Sequence, residues 1–221
     1  MEKKIIRSFT FDVDAQNNEK YGDYIEGRAI VFDQPTDIGL FTEIIDKNAL
    51  KETDLRDVRF LINHNTDMIP LARSRRNNEN STMQMVVGEE GMDIRANLDT
   101  ENNADARALY SATKRGDISG MSFMMTVGDE EWDFSDEERP VRRILAVNRI
   151  YEVSACTFPA YADGTSLSVE ARGDEEALEN AKSTLEKAKA EEEAKAERDA
   201  DIEELTSLLD ELEANDDNQG N

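Results

Sequence analysis

After Tyr161 the chain holds no proline and no aromatic residue, and this break dictates where a core can form. Aromatic side chains bury the largest apolar areas, so a stretch without them draws its stability from helix propensity or from a partner. From Ala171 to Asn221 there are 18 Asp and Glu against 6 Lys and Arg, a net of −12 and half of the −24 that the 221 residues carry. The composition turns over within ADGTSLSVEARG, residues 162–173. The sequence therefore predicts a folded body over residues 1–165 and an acidic helical tail over 166–221.

Within the tail, Leu178 and Leu185 lie seven apart, and Ile202, Leu205, Leu209 and Leu212 follow the 3-4-3 spacing of a coiled-coil seam. The middle, AKAEEEAKAERDAD, combines strong helix formers with few large apolar residues. Such a helix takes a partner helix or stands in solvent.

The body reads as strand-rich α+β. KIIRSFTFDVDA alternates toward its end, and YIEGRAIVFD gives a second strand in which Gly27 marks a bulge or a close backbone approach. DKNALKET suggests a short helix capped by Asp46 or Asn48. VRFLINH is an apolar strand ending at His64, and TMQMVVGEEGMDIRANL a hairpin turning between Gly88 and Gly91. The clearest helix is NNADARALYSATKRGD, with Ala106, Leu109, Tyr110 and Thr113 on one face and Gly116 as its stop. ISGMSFMMTV then returns as a strand, GDEEWDFSDEERP as an acidic loop, and VRRILAVNRIYEVSACTF as one or two strands. Together these predict a partly closed β-barrel with a few helices around it.

Several chemistries are excluded at once. The net charge disfavours nucleic acid or an anionic membrane face as the main ligand and favours a basic partner. No apolar run approaches the roughly 18 residues of a membrane span, and MEKKIIRSF lacks a leader pattern, so a soluble, non-exported protein is expected. The one cysteine, Cys156, permits no internal disulfide and suits a reducing compartment. With one histidine, His64, beside it, the protein cannot build a Cys/His zinc site alone. There is no Gly-rich phosphate loop, and no metal or organic cofactor is expected.

His64 is then the one imidazole available as a base. Its neighbours in Asn63-His64-Asn65 can fix its tautomer, for a general base or for a satisfied structural histidine. In RGDISGMSF, Ser119 and Ser122 point to opposite faces if the segment is a strand. Ser119, beside Gly116 and Gly120, suits a turn. Ser122, between Met121 and Phe123, needs a buried partner or a catalytic task. Glu152, within YEVSAC, either faces solvent or requires a partner such as protonated His64. Cys156 is a core filler or an alternative nucleophile. Hydroxyl, imidazole and acid are the three parts of a serine hydrolase, and they recur in any chain order on unrelated folds.

Four stretches carry a family resemblance: FLINHNTDMIPLARS, GMDIRANLDT, ALYSATKRGDISGMSFMMTV and IYEVSACTFPAY. In order and spacing, over roughly residues 20–165, they resemble the prohead proteases of tailed phages of the HK97 type. The resemblance implies a serine endopeptidase similar in fold to the herpesvirus maturation proteases, a β-barrel ringed by helices. It implies action in the host cytoplasm, inside the assembling prohead, on the scaffolding portion of the major capsid protein precursor and then on the protease itself. A homodimer is the assembly expected by analogy. Carried over residue by residue, the resemblance makes His64 the general base, Ser122 the nucleophile and Glu152 the third member, with Ser119 a neighbour. Family members often read Leu-Gly-Arg where this chain reads Leu71-Ala72-Arg73. The tail looks like the scaffold-type helices of such phages, which implies recruitment or co-assembly.

Two other classes compete. A non-catalytic scaffolding protein bound to the capsid interior explains the tail and the charge but not the positions of His64, Ser122 and Glu152. A hydrolase of small esters on the same frame would leave capsid protein uncut.

Overall fold

Period-two alternation makes most of the body strand, and one well-capped apolar stripe makes its helix. The structure, a computed structural model, describes residues 4–10, 13–157, 174–192, 195 and 198. In chain order the strands begin with β1 (Lys4–Thr10), β2 (Val13–Asn18), β3 (Gly22–Val31), β4 (Thr36–Asp37), β5 (Thr42–Ile45), β6 (Asp57–Ile62) and β7 (Ala72–Arg75). The hairpin β8 (Met83–Val87) and β9 (Gly91–Asn97) precedes helix α1 (Ala104–Lys114), and β10 (Gly120–Asp133) and β11 (Val141–Cys156) close the body. This is the expected strand-rich α+β organisation.

The strands pair as two open sheets, which corrects the expectation of a barrel. One has the order β1-β10-β11-β5-β4, with β6 also paired to β11 and β7 to β6; the other runs β2-β3-β9-β8. The 16 residues of β11 are the physical reason. Its start, Val141–Ile144, pairs in parallel with β5, and its end, Glu152–Ala155, pairs in parallel with β6. The sheet therefore branches at β11 instead of continuing round to β1. KIIRSFTFDVDA likewise divides, sending β1 to β10 and β2 to β3.

Three local expectations also change. DKNALKET forms successive turns, with Ala49 N bonding Asp46 O at 2.9 Å and Lys51 N bonding Asn48 O at 3.0 Å. Val147 N donates to Ala49 O at 2.9 Å and Thr53 Oγ1 to Val147 O at 2.8 Å, so pairing with β11 overrides local helix propensity. The acidic segment continues β10 as far as Asp133, held by Trp132 packed edge-on against Phe41 with ring centroids 4.9 Å apart. The bulge of β3 lies between Arg28 and Ile30, beyond Gly27.

Helix α1 matches its expected face, burying Ala106, Leu109 and Thr113. Asn103 caps it by accepting from Asp105 N and Ala106 N. Gly116, at φ 80, ends it in a Schellman arrangement, with Gly116 N on Thr113 O and Asp117 N on Ala112 O, both at 2.9 Å. Ser119 takes no part in that turn and is exposed.

The core sets the faces of the β10–β11 hairpin. Met121, Phe123 and Met125 of β10 and Val153 and Ala155 of β11 are fully buried in the main apolar cluster. By alternation, Ser122 of β10 and Glu152, Ser154 and Cys156 of β11 turn to the opposite face.

The body forms one compact unit, Met1–Asp174. The boundary expected at 165/166 lies outside the described residues. Residues 174–192 are helical, and Leu178 and Leu185 are half-buried there. The seam of Ile202, Leu205, Leu209 and Leu212 lies outside the described residues. No helix among the described residues is long and apolar enough to cross a membrane.

Candidate active site

Register brings the polar residues of the hairpin together. Ser122 is the direct partner of Ser154 across the β10–β11 pair, and Glu152 pairs with Met124. Glu152 and Ser154, two apart on one strand, share a face, so hydroxyl, carboxylate and second hydroxyl line up beside one another. Ser122, Glu152 and Ser154 are each no more than 2% exposed.

His64 reaches this row from the end of β6. That strand pairs with β11 as far as Ile62, opposite Ala155, and Asn63 N continues the pairing by donating to Ala155 O at 3.0 Å. The chain then reverses over Asn63 (φ 50) and His64 (φ 56), closed by Asn65 N on Ile62 O at 3.0 Å. Two successive left-handed residues are the mark of a type I′ turn, which asparagine tolerates and histidine resists. Such strain persists only when its surroundings fix it. Here Asn63 Oδ1 accepts from Thr157 N at 2.9 Å, and His64 N donates to Ser154 Oγ at 3.1 Å.

The result is one connected chain of contacts. His64 Nε2 lies 2.5 Å from Ser122 Oγ, and Nδ1 lies 2.6 Å from Glu152 Oε1. The Ser154 hydroxyl donates to Glu152 Oε2 at 2.5 Å, so both oxygens of the buried carboxylate are satisfied. The carboxylate fixes the imidazole tautomer, Nδ1 carrying the proton and Nε2 facing the serine.

Ser122 has a second acceptor in the Arg7 carbonyl at 2.8 Å. Its single proton serves one acceptor at a time. When His64 is charged, Nε2 donates and the hydroxyl turns to Arg7 O; when His64 is neutral, Nε2 can accept the serine proton. Arg7 is itself anchored, its guanidinium buried against Glu43 and against Asp174, the latter at 2.8 Å.

The imidazole titrates above its ordinary value. Burial pulls it down, but hydrogen bonds with Cys156 and Glu152, and the negative charge of the Glu152 carboxylate, outweigh that pull. Cys156 Sγ stands 3.9 Å from His64 Nε2, well beyond the serine oxygen.

Thus the structure brings together His64, Ser122 and Glu152, puts Cys156 at the margin and leaves Ser119 outside. Sequence reasoning missed Ser154 and the Arg7 carbonyl. Ser154 was readable from its two-residue offset from Glu152 on a strand; a backbone acceptor leaves no mark in side-chain identity. Among the described residues, no group of three or more His, Cys, Asp or Glu side chains converges as a metal site requires.

No curated protein matches the sequence. Among solved structures, the bacteriophage T4 capsid assembly protease gp21 is similar at 14% identity with a TM-score of 0.40, over 70% of this chain and 97% of that one. The family model of the caudovirus prohead serine proteases matches residues 9–180. That span includes every member of the Ser122, His64 and Glu152 cluster and well over half of the sequence, and so the chain belongs to the caudovirus prohead serine protease family.

Proposed function

We propose that the protein is a capsid-maturation serine endopeptidase that works inside the assembling prohead. Its substrates are the scaffolding portion of the major capsid protein precursor and the protease itself. The observation that carries this reading is the unbroken contact chain from Ser122 Oγ through both ring nitrogens of His64 to Glu152. Ser122 attacks the scissile carbonyl while His64 Nε2 removes its proton. Glu152 orients the imidazole and stabilises its charged form, and His64 then returns the proton to the leaving amine. Water repeats the cycle on the acyl-enzyme and frees Ser122. The acidic tail, over 166–221, serves recruitment or co-assembly.

The test is intact mass over time for the wild type and Ser122→Ala, each mixed with purified capsid precursor. The wild type trims the precursor and itself, and Ser122→Ala leaves both whole. Equal behaviour of the two proteins refutes the assignment: cleavage by both moves the nucleophile to Ser119 or Cys156, and cleavage by neither favours the non-catalytic scaffolding class.

A further inference from the structure

In a chain with a net charge of −24, five arginines meet at the end of β6 remote from His64. Arg56, Arg73, Arg75, Arg76 and Arg149 line an open groove of about 430 Å³. They come from three separate stretches, so this is a product of the fold and not of a basic run. The two acids in the groove are already engaged. Asp54 pairs with Arg56 at 2.8 Å and faces Arg149 at 3.8 Å, while Asp57 pairs with Arg73 at 2.6 Å and Arg59 at 3.2 Å.

Donors remain in surplus. Arg75 and Arg76 are exposed, and among the described residues neither guanidinium is in an ion pair. Arg149 Nε is buried without a hydrogen-bond partner among them. Arg76 (φ 56) and Asn77 (φ 49) form a second turn with two left-handed residues, closed by Asn78 N on Arg75 O at 3.3 Å. Asparagine or glycine suits such a position, and an arginine is strained there. The chain thus holds an unpaired cation in an unfavourable backbone state at the groove's rim.

We infer that this groove is an exosite for a carboxylate-rich stretch of the polypeptide substrate, an inference that rests on the endopeptidase reading above. Guanidinium forks pair with carboxylates in a bidentate manner. The ligand is held by side chains, because the free edge of β7 is capped: Arg73 N donates to Thr82 Oγ1 and Arg75 N to Ser81 Oγ, both at 2.8 Å. Asp57 begins β6 and Ile62 ends it, two residues before His64. At ~3.3 Å per residue that strand spans roughly 17 Å, so the acidic stretch lies about five extended residues from the scissile bond. Nucleic acid fits less well: Asp54 and Asp57 alternate with the arginines, and regularly spaced phosphates cannot avoid them as carboxylates on separate flexible side chains can.

The test uses full-length Ser122→Ala protein, which binds without cutting. Labelled peptides carry a cut site mapped by intact mass and a flank of six glutamates or six glutamines; a single-stranded oligonucleotide of equal charge is the third probe. Fluorescence anisotropy is expected to show the glutamate peptide binding at least ~10-fold tighter than the glutamine peptide. That advantage disappears when R75E and R76E are added. R76N, which relieves the turn and so preserves folding, reduces it several-fold. Equal binding to the parent and both variants overturns the inference, as does an oligonucleotide that binds more tightly than the peptide and is lost with the arginines. Wild-type cleavage is read separately: if neither peptide is cut but charge-selective binding persists, the endopeptidase reading fails and the groove stands only as a binding site for acidic peptide.

Discussion

Replacing Ser154 by alanine isolates the one buried hydroxyl that holds both the acid and the base. Its proton goes to Glu152 Oε2 and its oxygen takes the backbone N–H of His64 at 3.1 Å, at a position with no exposed surface. A hydrogen bond to a charged group contributes about 1.5–3 kcal/mol and a neutral one about 0.5–1.5 kcal/mol. Ser154→Ala is therefore expected to lower stability by about 2–4 kcal/mol, read by urea denaturation. Relaxing the carboxylate and the strained His64 backbone also misplaces the imidazole, and a displacement near 1 Å costs on the order of 100-fold in rate. The expected result is a 10- to 100-fold loss of kcat on capsid precursor with KM within about twofold. Ser154→Thr keeps the hydroxyl and recovers most of kcat, although its extra methyl costs about 1–3 kcal/mol in a filled site. If Ser154→Ala loses stability but keeps kcat within twofold, the hydroxyl is purely structural and does not position the imidazole.

Glu152→Gln preserves shape but no longer fixes the tautomer or neutralises the imidazolium; kcat is expected to fall about 100- to 10,000-fold, measured under saturating substrate. Cys156→Ala is expected to keep cleavage within about threefold, because the thiol lies 3.9 Å from Nε2 where the serine oxygen lies at 2.5 Å; loss of activity comparable to that of Ser122→Ala would make the thiol the nucleophile. The raised titration of His64 gives two opposite pH slopes. Its stabilising contribution is complete below the unfolded value of ~6.5 and is lost as pH rises through the folded value, whereas cleavage needs neutral imidazole and so grows through that same range. Melting temperature and kcat/KM against pH read the two slopes, and His64→Ala abolishes the second.

The parts of the fold that were legible in the sequence are those governed by local periodicity. Helix α1, with its buried Leu109 and its stop at Gly116, and the hairpin turning between Gly88 and Gly91, follow from stripe and turn chemistry alone. The parts that were not legible depend on partners far along the chain. DKNALKET has a helical look, but Val147 claims the Ala49 carbonyl nearly a hundred residues away. The acidic run after Val127 resembles a loop until Trp132 finds Phe41. Closure of the sheet was misjudged because nothing local records that β11 serves β5 at one end and β6 at the other.

The site shows the same division. Ser122 and Ser119 were expected on opposite faces of one strand, but β10 begins at Gly120, so Ser119 precedes the strand and is exposed while Ser122 is buried within it. The pairing of Glu152 with protonated His64 was one of two readings of a carboxylate among strand formers, and the 2.6 Å contact with Nδ1 agrees with it. The left-handed backbone at His64 and the Arg7 carbonyl beside Ser122 carry no signal in residue type, so they emerge only with the fold.

Activation of Ser122 by His64 can be read with a fluorophosphonate reagent, because it labels a serine only in proportion to its activation. Intact mass followed by peptide mapping is expected to show one adduct, on Ser122, in the wild type and none on the same timescale in His64→Ala. An adduct on Ser119 or elsewhere, or equal labelling of Ser122 in both proteins, would contradict it.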